Sequence, residues 1–451
     1  MGRHRGGLVV PVAALALVAV VGAGCSSSGG SSATTTTKAP TTTTSGGGTT
    51  PAGSSAPGVT PTQINVGAIS SQTGPLAGYF AGLGPGMTAY FDALDAKGGV
   101  DGRKVVLAYN LDDGGQPSQF TQLTHTVIDQ DHAFAVGTAS AWFSPDYFVS
   151  TGTPTYGYNV SSNWDTAPNL FAAGGSTQIY SSAVPTYAYF IKKTQSKSIA
   201  FISYGKGIPG SYGACSTAAN DLKAAGVNVS FVDVGAQLGG SYSSDVQRMQ
   251  QAGSDLVITC MQASDNITLS RDVQQYGLTI KQLWLNGYDQ KLLDQYGSLM
   301  RGVYLNNTAN VPFEAGDTAT FGNAYPGMQQ YLADMKQYEP SYALNNVSFA
   351  GWQSAALLVA GIKAAGSDLT QANVIAQTNK LTRFTADGTS APVDWTSAHT
   401  TNTLPTCSAW IQVKNGKFVS VFGSGKQVFV CVGANAKNPV PQSPPPGTPG
   451  T

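Results

Sequence analysis

From Gln63 onward, short apolar runs rich in β-branched residues alternate with amphipathic segments, and near Ala172 the pattern breaks and starts again. Such alternation is the signature of βα units and parallel sheets. "INVGAIS" reads as a strand, after which Met87, Tyr90, Phe91 and Leu94 recur at helical spacing until Gly98-Gly99 stops the helix. "RKVVLAYNL" is apolar on both faces, as a central parallel strand should be, and "AFAVGTAS" and "TPTYGYN" give a third and a fourth strand. Beyond Ala172, Ile179, Ala183, Tyr187, Phe190 and Ile191 stripe a new helix. "SIAFIS", a helix from about Cys215 to Ala225, "VNVSFVDV", "DLVITC" and "LWLNG" continue the alternation. "RGVYLN" leads to a looser region and the strongly helical "WQSAALLVAGIKAAG", and the hairpin-like "SAWIQVKNGKFVSVFGSGKQVFV" closes the body. The pattern predicts two α/β lobes, the second inserted between parts of the first.

The ends read differently. Arg3 and Arg5 precede the 14-residue apolar run Leu8 to Val21, too short for a comfortable membrane span and followed by small residues, the layout of a secretory signal. "GAGC", Gly22 to Cys25, resembles a bacterial lipobox with glycine where leucine is usual, which makes Cys25 the lipidation site; the alternative is an ordinary signal peptide with an accidental cysteine. Residues 1–24 are then signal and 25–58 a Ser/Thr/Gly-rich tether that cannot bury apolar area. Such a coil of about 32 residues averages roughly 30 Å end to end, enough to hold a folded body off a membrane. The Pro-rich stretch 433–451 reads as a second structureless tail.

Charge excludes one class of partner. Lys+Arg and Asp+Glu balance at 24 each and charged residues make up 11%, so the long-range pull that nucleic-acid binding needs is missing. Four cysteines remain in the body, an even number that suggests two disulfides in an exported protein but allows three connectivities. Cys407 and Cys431 flank the hairpin and form the preferred pair; Cys215 with Cys260 follows by default, with a free, buried Cys260 as the alternative. No CxxC occurs, so zinc and thioredoxin chemistry have no signal.

Catalytic patterns are equally thin. Asp112-Asp113 ends a strand and invites a metal, a ribose clamp or an acid/base pair. No DxDxDG-like spacing surrounds it, and the loop after the first strand is "SSQTGPLAG", where a dinucleotide fold needs G-x-G-x-x-G. The plain reading is a loop pair, solvated and capping the next helix. His125, His132 and His399 show no metal spacing, and in "PGSYGAC" Pro209 stands where G-x-S-x-G needs glycine. Twenty tyrosines and six tryptophans accompany many hydroxyl and amide residues in the loops after strands. In open α/β sheets ligands sit there, and such side chains bind without a shifted pKa. Binding is favoured over catalysis, and no cofactor is called for.

"INVGAISSQTGPLAGYF", then "AYFDALDAKGGVDGRKVVLAYNLDDGGQPSQFTQL", resembles the N-terminal region of the branched-chain amino-acid type of periplasmic substrate-binding proteins, which includes Leu/Ile/Val-, amide- and urea-binding members. The TGPLA-like loop, the GGV-x-GRKV turn and the DD-G strand end occur in the family's order within about fifty residues, and the likeness continues more weakly to about Val421. The resemblance implies a type I periplasmic-binding-protein fold: two Rossmann-like α/β lobes with parallel central sheets, joined by three crossovers near Ala172, Leu305 and Thr385. Lobe 1 is then 59–172 with 305–385, and lobe 2 is 173–304 with 386–432.

Function follows from the same resemblance. Together with the lipobox-like GAGC it implies a lipid-anchored monomer outside the cytoplasm that closes over a small polar ligand, an amino acid, an amide or a related compound, and delivers it to an ABC permease. The alternatives are a sensor that signals to a membrane receptor, and an exported hydrolase. Carried onto this chain, the ligand positions are Ser140 and Trp142 in "GTASAWFS", Asn159 to Ser161 after the fourth strand, Gln178, Tyr212, Gln262 in "CMQAS", and Tyr288 or Asp289 in "LNGYDQ". The last pair marks where amino-acid binders keep an acid for the ligand's ammonium, here offset by about one residue. Read from the sequence alone, each of these loop residues is equally well a surface contact with no ligand role.

Overall fold

The computed structural model describes residues 56–160, 162–165, 167–172, 184–308, 310–399 and 407–450. The signal and lipidation readings, Cys25 included, therefore lie outside the described residues, as do Ser161, Gln178, and the helix positions Ile179 and Ala183.

The first lobe is built from β1 (Gln63–Ser70), α1 (Ala77–Phe80), α2 (Leu83–Asp95), β2 (Lys104–Asp112), α3 (Pro117–His125), β3 (Ala135–Ala139), α4 (Asp146–Thr151), β4 (Thr155–Gly157) and β5 (Leu170–Ala172). Its five strands lie in the order β2-β1-β3-β4-β5, all parallel. β3 is buried throughout and β1 nearly so, as strands covered on both faces must be. β2, expected at the centre, is instead an edge strand whose side chains alternate between cover and solvent. Its apolar run marks a long strand but does not say how many neighbours it has.

The second lobe continues with α5 (Val184–Thr194), β6 (Ile199–Tyr204), α6 (Pro209–Ala224), β7 (Val229–Ala236), α7 (Ser243–Gln251), β8 (Leu256–Thr259), α8 (Ala263–Gln275), β9 (Lys281–Trp284), α9 (Gln290–Tyr296) and β10 (Tyr304–Thr308). The strands β7-β6-β8-β9-β10 are parallel. The chain then leaves for α10 (Thr318–Phe321), α11 (Pro326–Tyr338), α12 (Asn346–Ala365) and α13 (Gln371–Thr378). It returns as β11 (Cys407–Lys414), β12 (Lys417–Val421), β13 (Phe429–Val432) and β14 (Pro441–Gln442), which extend the second sheet antiparallel from β10. Asn415 and Gly416 both adopt positive φ between β11 and β12, the conformation an Asn-Gly hairpin turn requires.

α12 is apolar enough along its 20 residues to cross a membrane, yet it is a core helix, with 83% of its most apolar window buried. Asn345 starts it with a reciprocal capping box with Ser348. It crosses α2 at glycines: a Cβ on Gly86 would lie 1.9 Å from the Ser348 oxygen, and one on Gly351 would lie 2.3 Å from the Leu83 oxygen.

Two boundaries differ from expectation. Val393 and Trp395 are buried with the first lobe's core, Trp395 edge-on to Phe171 at 5.2 Å, because the Phe384–Val393 bridge folds this stretch back. The first lobe's core therefore runs on past Thr385 to at least Trp395. The Pro-rich stretch is not structureless either: β14 pairs with β13, and Gln427 donates a side-chain hydrogen bond to the Pro449 carbonyl. Proline cannot supply a full ladder, but two residues at a sheet edge are within its reach.

Candidate functional site

Parallel strands direct their carboxyl ends one way, and in each lobe the loops at those ends hold the candidate residues. In the first lobe the two aspartates organise them. Asp112 Oδ1 accepts from the main-chain N–H groups of Gln72, Thr73 and Gly114 at 2.8, 3.1 and 2.8 Å, and Oδ2 accepts from the Thr73 hydroxyl at 2.6 Å. Burial works to raise its pKa, but these donors outweigh it and hold the carboxyl below its ordinary value. Asp113 is fully buried, accepting from Gly115 N at 2.8 Å and from Ser140 Oγ at 2.6 Å. The expected solvated pair that caps a helix is thus corrected: Asp113 sees no solvent, and α3 starts after Gln116 with no side-chain cap. Successive strand residues point to opposite sides, so one aspartate ties the "SQTGPLAG" loop and the other ties the loop after β3.

That second loop carries Ser140 and Trp142. Ser140 is buried, donates its hydroxyl hydrogen bond to Asp113 and accepts from Trp142 N at 3.1 Å. Trp142 Nε1 donates to the Gly115 carbonyl at 2.8 Å, and the half-buried indole packs against the core around Phe120 and Phe143. Asn159, also half-buried, follows Tyr158, whose hydroxyl meets that of Tyr79 at 2.9 Å. Sequence reasoning passed over the Tyr79–Tyr158 pair, although the "GPLAGY" loop it singled out runs into Tyr79.

The second lobe brings Tyr212 and Gln262 onto adjoining elements. Tyr212 lies in the first turn of α6, with the Lys206 ammonium 5.7 Å from its ring centre, within cation–π reach. Gln262 immediately precedes α8, and its N–H donates to the Tyr204 hydroxyl at 3.1 Å while that hydroxyl donates to Asp265. Burial first, then the Asp265 carboxylate, pushes the Tyr204 phenol far above its usual range, so it stays a donor. The Cys215–Cys260 disulfide bonds α6 to the residue that follows β8, and Ser211 Oγ donates to the Cys260 carbonyl at 2.6 Å. The second bridge, Cys407–Cys431, joins directly paired residues of β11 and β13. Both expected pairings are present.

Tyr288 and Asp289 do not join this group. Tyr288 is 2% exposed, stacked on Phe313 at 4.3 Å, and its hydroxyl donates to Glu314 and accepts from Phe313 N, both at 2.6 Å. Asp289 caps α9, accepting from Leu292 N at 3.0 Å, and bridges to Asn345. Burial raises its pKa against these bonds. An acid expected to meet a ligand's ammonium is therefore engaged as a helix cap. Among the described residues no group of three or more His, Cys, Asp or Glu could hold a metal, and the one salt bridge is the exposed pair His125–Asp129.

Around these loops α1 lies against α8, and the first turn of α6 lies against the main chain after β4. What the arrangement offers is hydroxyls, amides and aromatic faces, held rigidly from behind. Among the described residues no nucleophile is hydrogen-bonded to a histidine within it.

Known proteins share this architecture. The "Leu/Ile/Val-binding protein homolog 3" of Brucella melitensis is 24% identical over 225 residues, covering 48% of this chain and 59% of its own. The Leu/Ile/Val/Thr-binding protein of Salmonella typhimurium is 28% identical over 211 residues, 43% of this chain and 53% of its own. The alignments thus span between half and three-fifths of these two relatives. Among solved structures, a fatty acid ABC transporter substrate-binding protein from Thermomonospora curvata superposes with a TM-score of 0.69 at 17% identity, covering 87% of this chain and 97% of that one. A branched-chain amino acid ABC transporter protein from Thermus thermophilus with bound valine gives 0.64 at 18%, covering 80% and 95%. The periplasmic binding protein family model matches residues 63–417. With that span, the two-lobed fold and the strand-end loops, the chain belongs to the periplasmic binding protein family, of the branched-chain amino-acid type, whose members bind substrates and do not transform them.

Proposed function

We propose that the protein captures a small polar solute between its two lobes outside the cytoplasm, held to the membrane through lipid on Cys25, and hands it to an ABC permease. The observation that carries this reading is the meeting of strand-end loops from both sheets around hydrogen-bonding and aromatic groups, with the Lys206 ammonium beside Tyr212. Trp142, Asn159, Tyr212 and Gln262 are the contacts we assign, with Ser161 and Gln178 joining them from outside the described residues. Ser140 shapes its loop from within. A ligand touching both lobes favours the closed state by the difference of its affinities for the two states, and only that difference moves the population. Relatives named for leucine, isoleucine, valine and threonine, a neighbour with bound valine and another named for fatty acid set the range of ligands to try.

Thermal-shift titration of the purified protein against amino acids, short amides, urea, aromatic acids and fatty acids tests the reading. A solute at 100 times its Kd adds about 2.7 kcal/mol and raises the melting temperature. A flat panel, repeated after unfolding and refolding to strip any bound molecule, sinks the proposal for these classes.

A further inference from the structure

The first turn of α6 is one place where the second lobe meets the first. Pro209 opens the helix, a position that suits its missing N–H, and Gly210 follows. A Cβ built on Gly210 would lie 1.9 Å from the carbonyl oxygen of Val160, roughly 1.5 Å short of van der Waals contact. The obstacle is main chain, so no rotamer change relieves it. Both sides are braced: Val160 packs with Tyr158 on the first lobe's core, and α6 is fixed to β8 by Cys215–Cys260 and by Ser211. Other described glycines meet main chain as closely, among them Gly86 on Ser348, Gly157 on Thr138 and Gly327 on Asp387, but each does so on its own side of the cleft. Nothing conformational asks for glycine here. Gly210 is not among the positive-φ residues, and inside a helix glycine is poorer than alanine.

We propose that Gly210 is the residue that lets the lobes shut, its bare Cα giving the Val160 carbonyl room at the mouth of the cleft. It is a positioning residue for binding and touches no ligand. The proposal rests on the reading that solute is held between the lobes. A side chain at 210 would prop the lobes apart and lower the closed fraction, and apparent affinity falls in proportion to that fraction.

The test places nitroxide labels at Ser144→Cys and Gln247→Cys, exposed positions on the two lobes, in the full chain carrying Cys25→Ser. Electron–electron resonance then reports the interlobe distance with and without L-valine. The expected result is a short-distance population in the parent and in Gly207→Ala, whose Cβ has open space around it, and its loss by about tenfold or more in Gly210→Ala. Gly210→Ala should melt no lower than the parent, since alanine favours the helix. A short-distance population that persists in Gly210→Ala overturns the proposal, as does a parent that never shows one. A flat ligand panel alongside an intact short-distance population sinks the solute reading and leaves Gly210 its role in closure.

Discussion

Asp112 and Asp113 are neighbours in sequence with opposite surroundings. Asp112 gathers four donors at a loop surface, while Asp113 is enclosed with two. Replacing Asp113 by alanine strands the Ser140 hydroxyl and Gly115 N–H without an acceptor, which costs about 2–4 kcal/mol. Urea unfolding should show this as a lower midpoint at unchanged slope; a midpoint within error of the parent would mean the loops re-form without it. The sequence reading of a loop pair without chemistry rested on the lack of metal or nucleotide spacing around it. Which carboxylate is enclosed was not legible, since that depends on the loop from β3 folding over one side of a strand. The engagement of Tyr288 with Glu314 and of Asp289 as a helix cap was hidden for a related reason. Their neighbours, Phe313, Glu314 and Asn345, come from segments 25 to 56 positions further along the chain.

At the level of elements, strands and helices with strong periodicity were legible, while β5, three residues long, and β14, two residues long, carry no pattern to read. The edge placement of β2 was hidden because an apolar run reports burial by helices as readily as burial between strands. The cysteine pairing could be inferred from the hairpin, and its energetic weight follows from the loops closed. With sequence separations of 45 and 24 residues, chain-entropy arguments give about 4 kcal/mol for Cys215–Cys260 and about 3.5 kcal/mol for Cys407–Cys431. Paired Cys→Ala variants, compared by chemical denaturation, should each lose stability, with the 215/260 pair losing more. Equal midpoints for both variants and the parent would show that the reduced, unfolded chain is already constrained.

Over the whole molecule, several buried acids set how stability responds to pH. Burial and the neighbouring Asp233 carboxylate, partly offset by Arg248, push Asp245 up to about 7, and burial raises Asp289 and Glu314. A carboxyl raised on folding contributes stability that is complete below its unfolded pKa and fades as pH climbs through the folded value. His399 works the other way: burial lowers it to about 4, so its contribution is complete above about 6.5 and fades towards 4. The melting temperature should therefore rise as pH falls from 8 towards 5 and drop below that, and Asp245→Asn should flatten the rise; a monotonic fall from pH 8 to 5 would refute this balance. The two-lobed plan was legible because the alternation of elements breaks and restarts, whereas the exact crossings depend on contacts such as Trp395 with Phe171. Those crossings also govern how the chain emerges during synthesis. Domains ordinarily fold in turn as they leave the ribosome, but the sheet begun by β6 is finished by β11 to β13, and the sheet begun by β1 is covered by α12 and α13. The first lobe is not complete until Trp395 has been made and the second not until β13, so a chain stopped before α12 would be left with two unfinished halves and no folded one.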